Sequence, residues 1–515
     1  MTAADYTIVV AYFLVIGGIG LWFSRGPGTT SRYFVADRQL PRWIVAFTLM
    51  ATLISTNTVV AHPGIVFSKG MVLVPGFLMI PVVLLGVAVF IVPFYRRVVR
   101  MSAYEYIGRR FGTAGRLYAS FGFVVERTFD VGLTLVTTSI AVQLMTGWSM
   151  GNVIIAVALF TMAYTMVGGI RAVVWTDMVQ GILLMAGGVV VLGRLLFAPE
   201  AGAPFAVLSE AAAAGKFSFG STALSWETLY AEERTLWILT IAIIVQWTRR
   251  FVCDQHMVQR YLLGRTDAEA RAGALFGALL LVPVLLLFNL IGACLYGFYQ
   301  LSGAKAPAIV DHILPHFIIH YLPPGLTGLM LAAVLAASMS SLSSDLNSLG
   351  AVLSSDYFQR LFPRLSEKAQ LAIGRTMVFV TGVAAAGVAF VLIPGEESRP
   401  LAERALTIAV IVSAGSLGLF TLGSLTRRAT ARGAMAGIAA AVLFTAWGVL
   451  TEPAARWMDL GRLNFAMNAI LIGVLAHVVL FTVGYAVSLL FGGYRPADVD
   501  RLLLRSRVEV SVVGR

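Results

Sequence analysis

Long apolar segments recur along the whole chain, and many exceed the ~20 residues that an α-helix needs to cross a bilayer. Residues 43–67, 71–95 and 464–491 are examples. The composition agrees with a membrane setting, because 58% of the residues are hydrophobic and only 12% are charged. Thirteen such spans are predicted, at residues 6–23, 43–67, 71–95, 117–146, 150–169, 175–198, 234–252, 273–299, 325–352, 371–394, 404–425, 433–451 and 464–491. We therefore expect an all-α polytopic membrane protein with about 13 transmembrane helices.

Basic residues concentrate in alternate loops between these spans. The net charge of +12 would suit a nucleic-acid partner, but this alternation instead follows the positive-inside rule of membrane proteins. The opposite loops are poor in Lys and Arg, and the longest of them, residues 199–233, is acidic. The pattern predicts a bacterial-type inner-membrane protein with its N-terminus outside and its C-terminus in the cytoplasm. The residues assigned to the cytoplasmic side include Arg25, Arg38, Arg96, Arg110, Arg171, Arg249, Arg250, Arg260, Arg265, Arg364, Arg428 and Arg505.

One apolar span, residues 325–352, carries a run of hydroxyl groups. At helical spacing Ala337, Ser340, Ser341 and Ser344 fall on one stripe. Polar groups at membrane depth are costly, so such a cluster suggests a functional site, and its oxygen atoms suit an ion. The alternative is that small residues only allow close helix packing.

The order of the spans suggests internal symmetry. Residues 43–198 and 234–425 each hold five predicted spans, and an odd number inverts the second group relative to the first. In the opening span of the first group, four polar residues precede Pro63 and Gly64, so a broken helix is expected there. Its counterpart at 234–252 is interrupted by polar residues at 246–250, where a second break is expected.

Four motifs identify a resemblance to the sodium/solute symporter family, which includes sodium-coupled sugar, proline and sialic acid carriers. They are MSAYEYIGRRFG, GGIRAVVWTDMVQG, DQHMVQRYLLGRTDAEARAG and SSLSSDLNS. The resemblance implies one transmembrane transporter domain with the leucine-transporter-type fold, a five-plus-five inverted-repeat core. It implies a leading helix at 6–23, two trailing helices at 433–491 and a cytoplasmic tail at 492–515.

The function that the resemblance implies is sodium-coupled secondary active symport. A small polar organic solute would be imported by alternating access, with Na⁺ as the co-transported ion and no further cofactor. No enzyme activity and no nucleic-acid partner are expected. The alternative is a proton-coupled symporter of the same fold, in which Asp177 would titrate.

The resemblance also implies a sodium site. Backbone oxygens of Ala51, Ile54 and Ala337 would join the hydroxyl groups of Ser340 and Ser341. Oxygen ligands are chemically sensible for a hard cation such as Na⁺. Neutral ligands would also allow the ion to be released in each transport cycle.

A second sodium site is implied at Asp177, with Ser343, Ser344 and the hydroxyl of Ser340. Two structural roles for Asp177 stay open. It could cap a helix that starts near Trp175, or it could pair with Arg171 at the cytoplasmic surface.

The substrate pocket differs from that of the sugar-carrying members. The positions that hold or gate sugar in those proteins are occupied here by Thr58, Phe77, Asp130, Trp247, Arg250 and Leu281. A sugar pocket of that design is therefore absent. Arg127 and Asp130 share a helix face. They could contact a charged substrate, such as a carboxylate or an amine, or they could form an internal ion pair. Arg250 is assigned to the cytoplasmic arginine cluster rather than to a gate.

Overall fold

The chain folds into a bundle of helices. The computed structural model describes residues 1–25, 28–223, 235–393, 414–452 and 458–504. Part of the predicted span at 404–425 and the end of the predicted tail lie outside these ranges. The principal helices are α1 (Ala3–Ser24), α2 (Arg42–Leu53), α3 (Asn57–Lys69), α4 (Val74–Val98), α5 (Tyr104–Thr146), α6 (Met150–Leu196), α7 (Ala206–Ala213), α8 (Leu236–Cys253), α9 (Gln255–Leu263), α10 (Asp267–Leu301), α11 (Ile313–Tyr321), α12 (Leu326–Val352), α13 (Glu367–Leu392), α14 (Ser416–Leu425), α15 (Ala431–Thr451) and α16 (Ile470–Phe491).

These helices are suited to a membrane. Within the described ranges, ten are long and apolar enough to cross a bilayer, and the number is eleven if the bent pair α2 and α3 forms one span. The expectation of a helical, multi-pass protein is thus confirmed.

The serine-rich helix α12 lies at the centre of the bundle. In its most apolar window 89% of the residues are buried, compared with 17% in the leading helix α1. It packs against α1, α5, α6, α9 and α13. Its hydroxyl groups therefore face protein rather than lipid.

Two predicted helix boundaries differ from the structure. The spans predicted at 150–169 and 175–198 form one helix, α6, which kinks at Gly169 where φ is +59°. The break expected at 246–250 is wrong, because α8 continues as a helix to Cys253. The chain becomes extended only at Asp254, and α9 follows. Arg249 and Arg250 remain in the helix because Glu126 and Asp130 of α5 are their partners.

Candidate ion and substrate site

The first predicted break is present between α2 and α3. The helix α2 ends at Leu53, and Ile54 is extended with φ of −102° and ψ of 108°. The two helices meet at an angle of 62°. Because a helix end leaves carbonyl groups without intrahelical partners, this bend presents backbone oxygens inside the bundle.

The hydroxyl groups of α12 lie against these oxygens. The hydroxyl of Ser340 donates to the carbonyl of Ala51 at 3.1 Å and to that of Ala337 at 3.2 Å. The hydroxyl of Ser341 donates to the carbonyl of Ile54 at 3.2 Å. All five residues of the predicted first sodium site are therefore brought together. With the carbonyl of Thr52, which also accepts from Ser341, two hydroxyl protons are shared among four carbonyl oxygens, so the cluster has more acceptors than donors.

Asp177 lies deep in the protein and takes neither of the two structural roles left open. It does not cap a helix, because α6 runs through Trp175 without interruption. It does not pair with Arg171, whose guanidinium lies 3.8 Å from Asp37. Instead, its carboxylate accepts a hydrogen bond from Thr48 at 2.6 Å.

One turn from the first cluster, the hydroxyl of Ser344 connects α12 to the carboxylate of Asp177. It donates to Oδ2 at 3.5 Å and lies 3.0 Å from the hydroxyl of Thr52. The other carboxylate oxygen, Oδ1, is buried without a hydrogen-bond partner among the described residues. The hydroxyl of Ser343 donates to the carbonyl of Ser340 at 3.2 Å, and no hydrogen bond to Asp177 is seen for it among the described residues.

Arg260 on α9 completes this second cluster. Its Nη2 donates to the hydroxyl of Ser344 at 2.5 Å and lies 3.5 Å from Oδ2 of Asp177. The side chain is fully buried and lies in a helix, so the predicted loop position of Arg260 is wrong. The sequence held a signal for this burial, because Arg260 is the one Lys or Arg residue in the segment QHMVQRYLL, whereas a basic loop would carry several.

A buried ion-pair network lies between α5 and α8. Arg127 donates to Asp130 at 2.7 Å and to Glu126 at 2.8 Å. The predicted shared face of Arg127 and Asp130 is thus confirmed. Arg249 binds both oxygens of Glu126, at 2.5 and 2.9 Å, and donates to Asp254 at 2.9 Å. Bidentate, charge-assisted pairs of this kind are strong and fix geometry.

Arg250 also belongs to this network, because it pairs with Asp130. Its Nη2 donates to Asp130 at 3.2 Å, and its guanidinium lies 5.8 Å from the ring centre of Trp247. Asp130 and Arg250 keep side-chain exposures of 22% and 23%, whereas Arg127 keeps 1%. Solvent therefore reaches Asp130 and Arg250 but not Arg127.

Phe77 and Trp247, two of the other predicted substrate residues, each pack against an aromatic ring, and Thr58 is the third. Phe77 stacks on His62 with ring centres 5.3 Å apart, and Trp247 packs on Phe251 at 5.5 Å. Thr58 is buried in α3 just after the helix break.

The comparisons with known proteins agree with this arrangement. Residues 33–440 match the sequence model of the sodium:solute symporter family. The chain belongs to the sodium:solute symporter family. Membership makes it a sodium-coupled symporter rather than an enzyme, as the sequence predicted. The proton-coupled alternative is not favoured.

Relatives of this symporter carry organic acids. The sodium/sialic acid symporter of Aliivibrio fischeri is 27% identical over 501 residues, which cover 97% of this chain and 95% of that protein. The sodium-coupled monocarboxylate transporter 2 of Bos taurus is 26% identical, covering 86% and 72%. A solved substrate-bound, outward-open Na⁺-coupled sialic acid symporter superposes with a TM-score of 0.84 at 27% identity, covering 95% of this chain and 98% of that one.

Proposed function

We propose that this symporter imports a small carboxylate-bearing solute together with Na⁺ across a bacterial-type inner membrane. The observation that carries the proposal is the convergence of five oxygens where α12 meets the break between α2 and α3. Na⁺ would bind there through Ala51, Ile54, Ala337, Ser340 and Ser341, and would replace the shared hydroxyl protons as their electrostatic partner.

Alternating access would use an inverted-repeat core. In this proposal thirteen spans cross the membrane, with the repeats at 43–198 and 234–425 and the N-terminus outside. The helix break at Ile54 and the extended Asp254 support it, because each interrupts the opening helix of one repeat.

A second cation would bind at Asp177, with Ser344 and, after a rotamer change, Ser343. The buried Oδ1 of Asp177 supports this site, since buried polar atoms are almost always paired. Thr52 lies beside both sites. Its carbonyl accepts from Ser341 at 3.4 Å, and its hydroxyl is 3.0 Å from that of Ser344.

The balance of charge supports an anionic solute. Five carboxylates and four guanidinium groups lie in the two proposed cation sites and the ion-pair network beside them. One negative charge is therefore in excess when all of these groups are ionised. Buried charge is tolerated only when it is compensated. One Na⁺ would neutralise the excess, and a second would be balanced by the carboxylate of the solute. The groups are Glu126, Asp130, Asp177, Asp254 and Asp345, with Arg127, Arg249, Arg250 and Arg260.

The solute would contact Arg250, Asp130 and Trp247, with Thr58 and Phe77 on the opposite side. Arg250 fits this role because it is partly exposed and its Nε has no hydrogen-bond partner among the described residues. Arg127 is enclosed by carboxylates, so we propose that it orients Asp130 rather than binding the solute.

A thermal-shift screen tests the solute class, since a ligand that binds only the folded state raises the melting temperature. The panel would contain sialic acid, short monocarboxylates, a zwitterionic amino acid and a neutral sugar, each with Na⁺ or with choline. We expect stabilisation by a carboxylate only when Na⁺ is present. Stabilisation by the neutral sugar alone would contradict the proposed solute class.

A further inference from the structure

The guanidinium of Arg260 occupies the place of a cation in the second cluster. It is 2.5 Å from the hydroxyl of Ser344 and 3.5 Å from the carboxylate of Asp177. Both Arg260 and Asp177 are fully buried, and the pair joins three separate helices, α6, α9 and α12. The guanidinium of Arg260 therefore already supplies a positive charge beside Asp177 and Ser344.

The cluster holds acceptor atoms that a different cation could use. Oδ1 of Asp177 is unpartnered among the described residues, so it can face an incoming ion. Asp345 follows Ser344 in the sequence and lies 3.9 Å from Arg127 and 3.5 Å from His256, and its Oδ1 accepts no hydrogen bond within the described part of the chain. Arg260 thus has an acidic partner to move toward if it leaves Asp177.

We propose that Arg260 is a tethered competitor for the second sodium ion. While the side chain holds Asp177 and Ser344, the second site is closed. A sodium ion that enters displaces the guanidinium toward Asp345 and loosens α9 from α6 and α12. Because α9 follows the extended Asp254, this exchange connects ion occupancy to the position of that helix. The inference rests on the second cation site of the proposed function.

Sodium binding to the purified, full-length protein tests the proposal, with ²²Na⁺ as the probe. In the unmodified protein, one ion binds at low concentration and a second only at higher concentration. The Arg260→Met substitution should tighten the second step by at least about tenfold, because apparent affinity falls with the fraction of sites that are competent. Arg260→Lys, which keeps the charge, should behave like the unmodified protein.

Three further variants test whether the change in sodium binding comes from the loss of Arg260 at the second site. Arg171→Met, which removes a cation paired with Asp37 outside the cluster, should leave both binding steps unchanged. Asp177→Asn combined with Arg260→Met should fold and bind one ion. If Ser340→Ala with Ser341→Ala in the Arg260→Met background still binds two ions, the first-site assignment fails while the role of Arg260 stands.

An Arg260→Met binding curve identical to that of the unmodified protein would overturn the proposal. If Arg260→Met alone does not fold, the double variant with Asp177→Asn decides. A double variant that folds supports the proposal, because Arg260 is then needed only while Asp177 carries its charge. An unfolded double variant contradicts it, because Arg260 would then be needed for more than its pairing with Asp177.

Discussion

At the residue scale, the centre of this symporter depends on carboxylates shared between arginines. Glu126 accepts from both Arg127 and Arg249, and Asp130 accepts from both Arg127 and Arg250. Each carboxylate is thereby held from two helices, α5 and α8. Removing one partner of such a buried set leaves an uncompensated charge, which costs far more than an exposed pair would.

The Arg249→Met substitution should therefore destabilise the protein strongly. Glu126 and Asp254 would lose their shared cation, at a cost of about 3–5 kcal/mol, and the melting temperature in detergent should fall. Arg427→Met is the matched control, because Arg427 pairs with Asp500 at the exposed surface. An equal fall in both variants would contradict the account of the buried network.

The hydroxyl residues of the proposed sodium site can be predicted from the sequence, but the partners in the buried ion-pair network cannot. Ser340 and Ser341 lie on one helix, so local spacing and the family motif place them together. Arg249 and Glu126 pair with each other although they are 123 residues apart in the sequence, and no local pattern connects them. The arginines in WTRR and QRY therefore resembled loop residues of the positive-inside rule until packing gave them carboxylates.

At the element scale, a kink divides the long helix α6 into two segments. Gly169 has a φ of +59°, and a Cβ there would lie 2.6 Å from the ring of Tyr33. The kink precedes Asp177 by about two turns, so it sets the direction in which that carboxylate enters the bundle. The sequence predicted separate spans at 150–169 and 175–198, but not that the helix continues through the kink.

The Gly169→Ala substitution should lower the melting temperature. A non-glycine residue in this backbone region costs about 1–3 kcal/mol before the contact with Tyr33 is added. Gly193→Ala in the same helix is the control, since a Cβ there meets nothing within 4 Å and should leave stability unchanged or slightly raised. A Gly169→Ala protein as stable as the control would show that the kink needs no glycine.

At the scale of the whole molecule, the apolar helices and the basic loops predict an orientation in the membrane. Arg109 and Arg428 are exposed, and the two native cysteines are buried, so single introduced cysteines can be labelled selectively. In the proposed topology, Arg109→Cys and Arg428→Cys react only from the cytoplasmic side. Ser209→Cys, in the acidic loop, should react with an impermeant reagent added outside. Labelling of Arg109→Cys from the outer face would contradict the proposed topology.

The overall fold was accessible from sequence for a physical reason. Lipid requires helices that satisfy their own backbone, so apolar segments of sufficient length reveal the spans directly. The break at Ile54 was visible because hydroxyls, Pro63 and Gly64 interrupt such a segment. The continuity of α8 was not visible, because Arg249 and Arg250 are stabilised inside the helix by carboxylates from distant helices.

Solute uptake into proteoliposomes tests the central claim, that Na⁺ bound between α2 and α12 drives transport. The solute is the carboxylate found in the thermal-shift screen, and external Na⁺ is replaced by choline at constant pH. We predict that an inward Na⁺ gradient drives accumulation, that choline abolishes it, and that Ser340→Ala with Ser341→Ala abolishes it too. Ser348→Ala on the same helix, whose hydroxyl donates only to the carbonyl of Asp345 among the described contacts, should retain it. Sodium-driven accumulation by the double variant at the unmodified level would contradict the account.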